Sequence, residues 1–208
     1  LAHLPPELRE YYLHGANCDS LPNAYGEFGR CVTNPIPVNG LIGTFKYLAK
    51  LHLPLPNGYG LYFHRVCSAS TPSGSQFSNF VDVYETVSID ASHWDVVFLH
   101  MYHPRRSNLC PSGYVLAPYN KKIGDLLYCY GTNNQLPDFP YDLPAALQTH
   151  GALPSFVRRC RENLAARRFA RPPAHLERLR DLRVKAETVP LFCPESGITL
   201  LQAPQKKS

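Results

Sequence analysis

A chain of 208 residues, 44% hydrophobic and 18% charged, can build one domain of about 150 residues with its own core plus an appendage, so its body is expected to fold. Twenty prolines, close to twice the usual roughly 5% share, fix φ and remove donors throughout, which counts against a bundle of long helices. The net charge of +5 is unevenly placed: ten Lys/Arg between Val157 and Lys185 face only Glu162, Glu177 and Asp181, a local +7 that leaves −2 for all the rest.

The first predicted element is a short helix over Pro5–Leu13, with prolines in its first turn and Gly15 to end it. Asn34–Gly40 is extended, because each residue before a proline is pushed out of the helical region. Asn39 is then expected to cap a helix. Leu41, Phe45, Leu48 and Leu51 recur at three- and four-residue steps and predict an amphipathic helix over Leu41–Leu51.

Three strands are expected next. Leu61–Cys67 alternates. Val81–Ile89 alternates more cleanly, with Val81, Val83, Val87 and Ile89 on one face and Asp82, Tyr84, Thr86 and Ser88 on the other. Glu85 interrupts the apolar row. Asp90-Ala91-Ser92 is a turn, and Trp94–His103 is an apolar strand that forms an antiparallel hairpin with its predecessor. Tyr114–Ala117 and Leu126–Tyr130 are two further strand candidates, and Ala145–Thr149 a helical turn. Phe156–Phe169 reads as a helix with Phe156, Cys160 and Leu164 on one stripe. Leu176, Leu179 and Leu182 mark a second helix. The apolar cluster of Val189, Leu191, Phe192, Ile198, Leu200 and Leu201 is an edge strand or a docking arm. The fold class that follows is α+β: a meandering, mostly antiparallel sheet of about five strands packed by short helices. An α+β body over residues 1–150 then carries a basic helical segment and C-terminal arm over 151–208.

Seven scattered cysteines with no C-x-x-C point to reduced thiols in a cytosolic protein. No signal peptide is visible at Leu1, and no apolar run approaches the about 18 residues of a membrane span, so no membrane partner is expected.

Four constellations carry chemistry. The first is the basic segment, with Arg158, Arg159, Arg161, Arg167, Arg168 and Arg171. Arginine favours bidentate contacts to phosphate or carboxylate, so the expected partner is an acidic protein or nucleic acid. The opposing reading is a solvated face that packs through Leu164, Leu176 and Leu179. Arg105 and Arg106, in the Pro104–Gly113 loop, form a second contact.

The second constellation is His93-x-Asp95 on one strand face. Tetrahedral zinc needs two more ligands, and at about 3.3 Å per residue His103 lies roughly 30 Å along the strand, so no metal is expected. The third is His64, Glu85, His100, His103 and Arg105, which supply the base, acid and cation of a metal-independent ribonuclease. The fourth is Asn34–Gly40 leading into a helix, which reads as a rigid loop rather than a phosphate loop. The leading expectation is a non-enzymatic cytosolic interaction module without a cofactor. The alternative is the small ribonuclease.

Overall fold

The computed structural model describes residues 6, 21, 24–56, 60–70, 80–119, 139–149, 151–166, 192–193 and 198–200. The helix expected over Pro5–Leu13, the strand expected over Leu126–Tyr130 and the helix marked by Leu176, Leu179 and Leu182 lie outside the described residues.

The architecture is α+β, and a six-stranded sheet forms its centre. The strands are β1 (Ile36–Pro37), β2 (Leu51–His52), β3 (Leu61–Ser70), β4 (Phe80–Ser88), β5 (Trp94–His100), β6 (Val115–Leu116), β7 (Phe192–Cys193) and β8 (Ile198–Leu200). The helices are α1 (Gly40–Lys50), α2 (Leu143–Thr149) and α3 (Pro154–Ala165). The sheet order is β1-β5-β4-β3-β8-β7, with β2 and β6 as a separate pair.

Strands β3, β4 and β5 form the expected antiparallel meander. β1 joins it in parallel beside β5, pairing Ile36 with Leu99 and Pro37 with His100. The extended Asn34–Gly40 segment is therefore an edge strand as well as a rigid lead into α1. β6 departs from the expected meander, because it pairs with β2 instead of the main sheet. The C-terminal apolar cluster supplies β7 and β8, and β8 extends the sheet beside Ala69 and Ser70 of β3.

Helix α1 lies where the apolar spacing puts it, but its start is built differently. Asn39 has φ 56° and makes no side-chain cap, and Gly40 has φ +81°. Two successive left-handed residues turn the chain back from β1 into α1, a conformation that asparagine and glycine tolerate. The Gly40 N–H donates to Met101 O at 2.6 Å. Gly43 then passes so close to the incoming chain that a Cβ there would stand 1.6 Å from Val38 O.

The pairing registers sort the central side chains into two faces, because directly opposed residues project to the same side. Tyr62, His64, Val83, Glu85, Val87, Trp94, Val96 and Phe98 share the first face. Phe63, Tyr84, Thr86, Asp95 and Val97 share the second. Helix α1 covers the second face, with Phe45 stacked on Phe63 at 6.2 Å and Phe63 edge-on to Tyr84 at 6.3 Å. The 139–166 segment covers the first, through Phe139 on His64, Tyr141 on Trp94 and Phe156 on Tyr62.

The half-polar alternation of β4 therefore does not mean a half-solvated strand. Every residue from Val81 to Ser88 is buried, since both faces are covered. Strand β5 also stops sooner than its apolar run suggests. It ends at His100, and the chain turns so that His103 N donates back to His100 O at 3.4 Å. The strand expected to run on to His103 ends there.

Candidate functional site

The residues of the acid–base constellation fall into two groups. His64 of β3 stands directly opposite Glu85 of β4, both are 0% exposed, and the His64 ring stacks on Phe139 at 5.5 Å. This couple sits mid-sheet beneath the 139–166 layer. His100, His103 and Arg105 gather at the far end of β5. Four residues separate Val96, the Glu85 partner, from His100, about 13 Å along the strand.

In that second group the rings of His100 and His103 lie 6.0 Å apart. His103 Nδ1 lies 3.1 Å from the Arg105 N–H and 3.2 Å from the Arg105 carbonyl oxygen, so the turn backbone anchors this edge of the ring. Burial, reinforced by the charge of neighbouring His103, pushes the His100 imidazole down to about 4. Burial also lowers His103. Both rings are thus held neutral at pH 7. Arg105 is half-buried and Arg106 exposed. The fold brings His64 to Glu85 and His100 to His103 and Arg105, and it keeps the two sets apart.

The cationic set is placed by α3. Pro154 opens this helix at its first position, where a missing N–H costs nothing. Val157, Cys160 and Leu164 form its buried stripe, and Phe156 packs edge-on to Tyr62 at 6.0 Å. Asn163 Nδ2 donates to Ile89 O at 3.0 Å and pins the helix to the β4–β5 turn. With that face committed, Arg158, Arg159 and Arg161 project outward and are exposed. Arg158 Nε lies 3.8 Å from the Glu162 carboxylate one turn on. Among the described residues Arg159 and Arg161 have no ion pair. Arg167, Arg168 and Arg171 lie outside the described residues.

Two polar clusters escape a linear reading. The first surrounds Asp95, whose Oδ2 takes an ion pair from Arg30 and a hydrogen bond from the Tyr114 hydroxyl at 2.9 Å. The Arg30 guanidinium lies 5.2 Å from the Tyr114 ring centroid, and its NH2 donates to Ser112 O at 3.0 Å. His93 Nε2 stands 3.8 Å from the same carboxylate. Burial and Arg30 hold His93 below its usual range against the pull of Asp90. His93-x-Asp95 therefore belongs to a knot joining the 24–34 loop, β5 and the 110–117 loop. Among the described residues no group of His, Cys, Asp and Glu is placed to hold a metal ion.

The second cluster is Arg65, Ser68 and Asp82. The register shifts between Arg65 and Cys67, and this bulge returns Ser68 to the side of Arg65. Arg65 donates to Asp82 Oδ1 at 2.8 and 3.0 Å and the Ser68 hydroxyl donates to it at 3.1 Å. The polar row of Asp82, Tyr84, Thr86 and Ser88 gave the only sequence signal for it.

No helix among the described residues is long and apolar enough to cross a membrane. Comparison of the chain with protein-family models, with curated proteins and with solved structures returned no match, so the functional reading rests on the residues and their geometry.

Proposed function

We propose that this chain is a non-enzymatic interaction module that binds an anionic partner, an acidic protein surface or a nucleic acid, through the cationic face of its C-terminal helical segment. One observation carries the reading: α3 spends its apolar stripe on the body and turns Arg158, Arg159 and Arg161 to solvent, with only Arg158 beside a carboxylate. A helix docked in this way presents its charge in a fixed array, which suits bidentate recognition of carboxylate or phosphate. The module is cytosolic in this reading. Among the described residues the thiols of Cys31, Cys110 and Cys160 form no disulfide, which supports a reducing compartment.

The test is a pull-down at low and high salt with the full chain and the double variant Arg159→Glu/Arg161→Glu. Retention of a partner by the wild type, its loss at high salt and its loss in the variant support the module. A partner held equally by both proteins overturns it.

A second reading, the small metal-independent ribonuclease, retains only the opposed His64–Glu85 pair of its acid–base set, and that pair is 0% exposed. Degradation of mixed RNA in EDTA that disappears in Glu85→Gln supports it. An inert wild-type protein ends it.

A further inference from the structure

The start of α1 carries a second exposed surface, and its chemistry separates the two partner classes. The 101–109 segment wraps the first turns of this helix. Gly40 N donates to Met101 O at 2.6 Å, Arg106 bridges Val38, and the Tyr47 hydroxyl donates to Leu109 O at 2.7 Å. Helix α1 turns Phe45 and Leu48 inward, which leaves its first turn facing out. Ile42 is 68% exposed, Tyr102 53%, and Leu41 and Leu109 47% each. Lys46 of the same helix and Arg106 of the same segment are also exposed, and among the described residues neither is in an ion pair.

Phosphate contacts use the cations of such a surface but not its aliphatic side chains. Single-stranded bases stack on aromatic rings and guanidinium planes, and a duplex presents phosphates and base edges. Tyr102 and Arg106 offer a base a ring and a guanidinium plane, but the three aliphatic side chains of Leu41, Ile42 and Leu109 would stay wet or be covered at no gain against a nucleic acid. A protein segment that offers apolar side chains and carboxylates together satisfies both halves of the surface.

We propose that this surface binds an acidic amphipathic segment of a partner protein. The apolar residues of that segment cover Leu41, Ile42 and Leu109, and its carboxylates meet Lys46 and Arg106. The proposal rests on the anionic-partner reading above and assigns that partner to the protein class.

The experiment uses the full chain and three fluorescent probes at low salt: a helical peptide with a leucine face and a glutamate face, a duplex DNA and a single-stranded RNA. The expected result is binding of the peptide, weakened about tenfold by Ile42→Glu and by Arg106→Glu, the scale set by one buried aliphatic side chain or one close charge pair. Ile42→Ser weakens the peptide in the same direction and leaves any nucleic-acid binding unchanged. All three substitutions fall on exposed positions, and Trp94 fluorescence confirms that each variant folds. Nucleic-acid binding without peptide binding overturns the protein class and leaves the anionic-partner reading standing. Peptide binding that responds to Arg159→Glu/Arg161→Glu but not to Ile42→Glu also overturns this surface and spares that reading. Binding of no probe overturns both.

Discussion

Acid should destabilise this protein through His100 before it titrates the carboxylates. The side chain is 0% exposed at the end of β5, and burial holds its folded pKa at about 4 against an unfolded value of 6.5. A depressed histidine stabilises the fold fully above its unfolded pKa. That contribution is lost as the pH falls through 6.5 toward the folded value, because the unfolded chain takes up the proton first. Between pH 7 and pH 5 the loss from this residue is about 2 kcal/mol. It approaches about 3 kcal/mol below pH 4.

The assay is urea unfolding followed by Trp94, the only tryptophan in the chain, which is buried with its ring 6.4 Å from that of Tyr141. The midpoint should fall between pH 7 and pH 5 at constant slope, which marks a change in stability rather than in exposed surface. His100→Gln is less stable at pH 7 but removes the titrating group, so its unfolding free energy should fall by about 2 kcal/mol less over the same interval. His93 and His103, both lowered chiefly by burial, add acid sensitivity of their own in both proteins. An equal pH dependence in wild type and variant would refute the assignment to His100.

Other substitutions report on packing. Gly43→Ala should destabilise by about 3 kcal/mol, because the new methyl meets Val38 O and α1 must lift off its lead-in; the urea midpoint measures it. Phe139→Ala removes a fully buried ring stacked on His64 and should cost about 3–5 kcal/mol by the same assay. Tyr114→Phe deletes the hydroxyl that donates to Asp95 and should cost about 1–2 kcal/mol, with the thermal midpoint as readout. Cys160 is buried and its thiol is pushed up to about 11, so alkylation mapped by mass spectrometry should reach Cys31 and Cys110 before it.

Short-range periodicity made α1 and the β4–β5 hairpin legible from the residues alone, since apolar spacing and a turn of Asp90-Ala91-Ser92 are local signals. What covers a strand is not local. The polar alternation of Asp82, Tyr84 and Thr86 suggests a wet face, yet α1 closes it, and Asp82 is kept there by Arg65 and Ser68 across a bulge that no alternation announces. The Asp95 knot draws Arg30 and Tyr114 from distant stretches, so composition around His93 could point only toward a metal pair. His64 and Glu85 were legible as chemical types, and their direct opposition depended on a register that spacing leaves open. The exposed arginines of α3 were the most readable, because the apolar stripe through Cys160 and Leu164 assigns them to the opposite side.

The order of the sheet bears on how the chain is made. Its third and eighth strands are neighbours, and the pairing of Ala69 with Leu200 joins two stretches that lie far apart in the sequence. A ribosome that has finished the meander has therefore not yet supplied the two strands that complete its flank. Until they emerge, a nascent chain holds a hydrogen-bonding edge that chaperones or sister chains can reach, so slowed elongation between β5 and β8 should favour aggregation of this protein over its assembly.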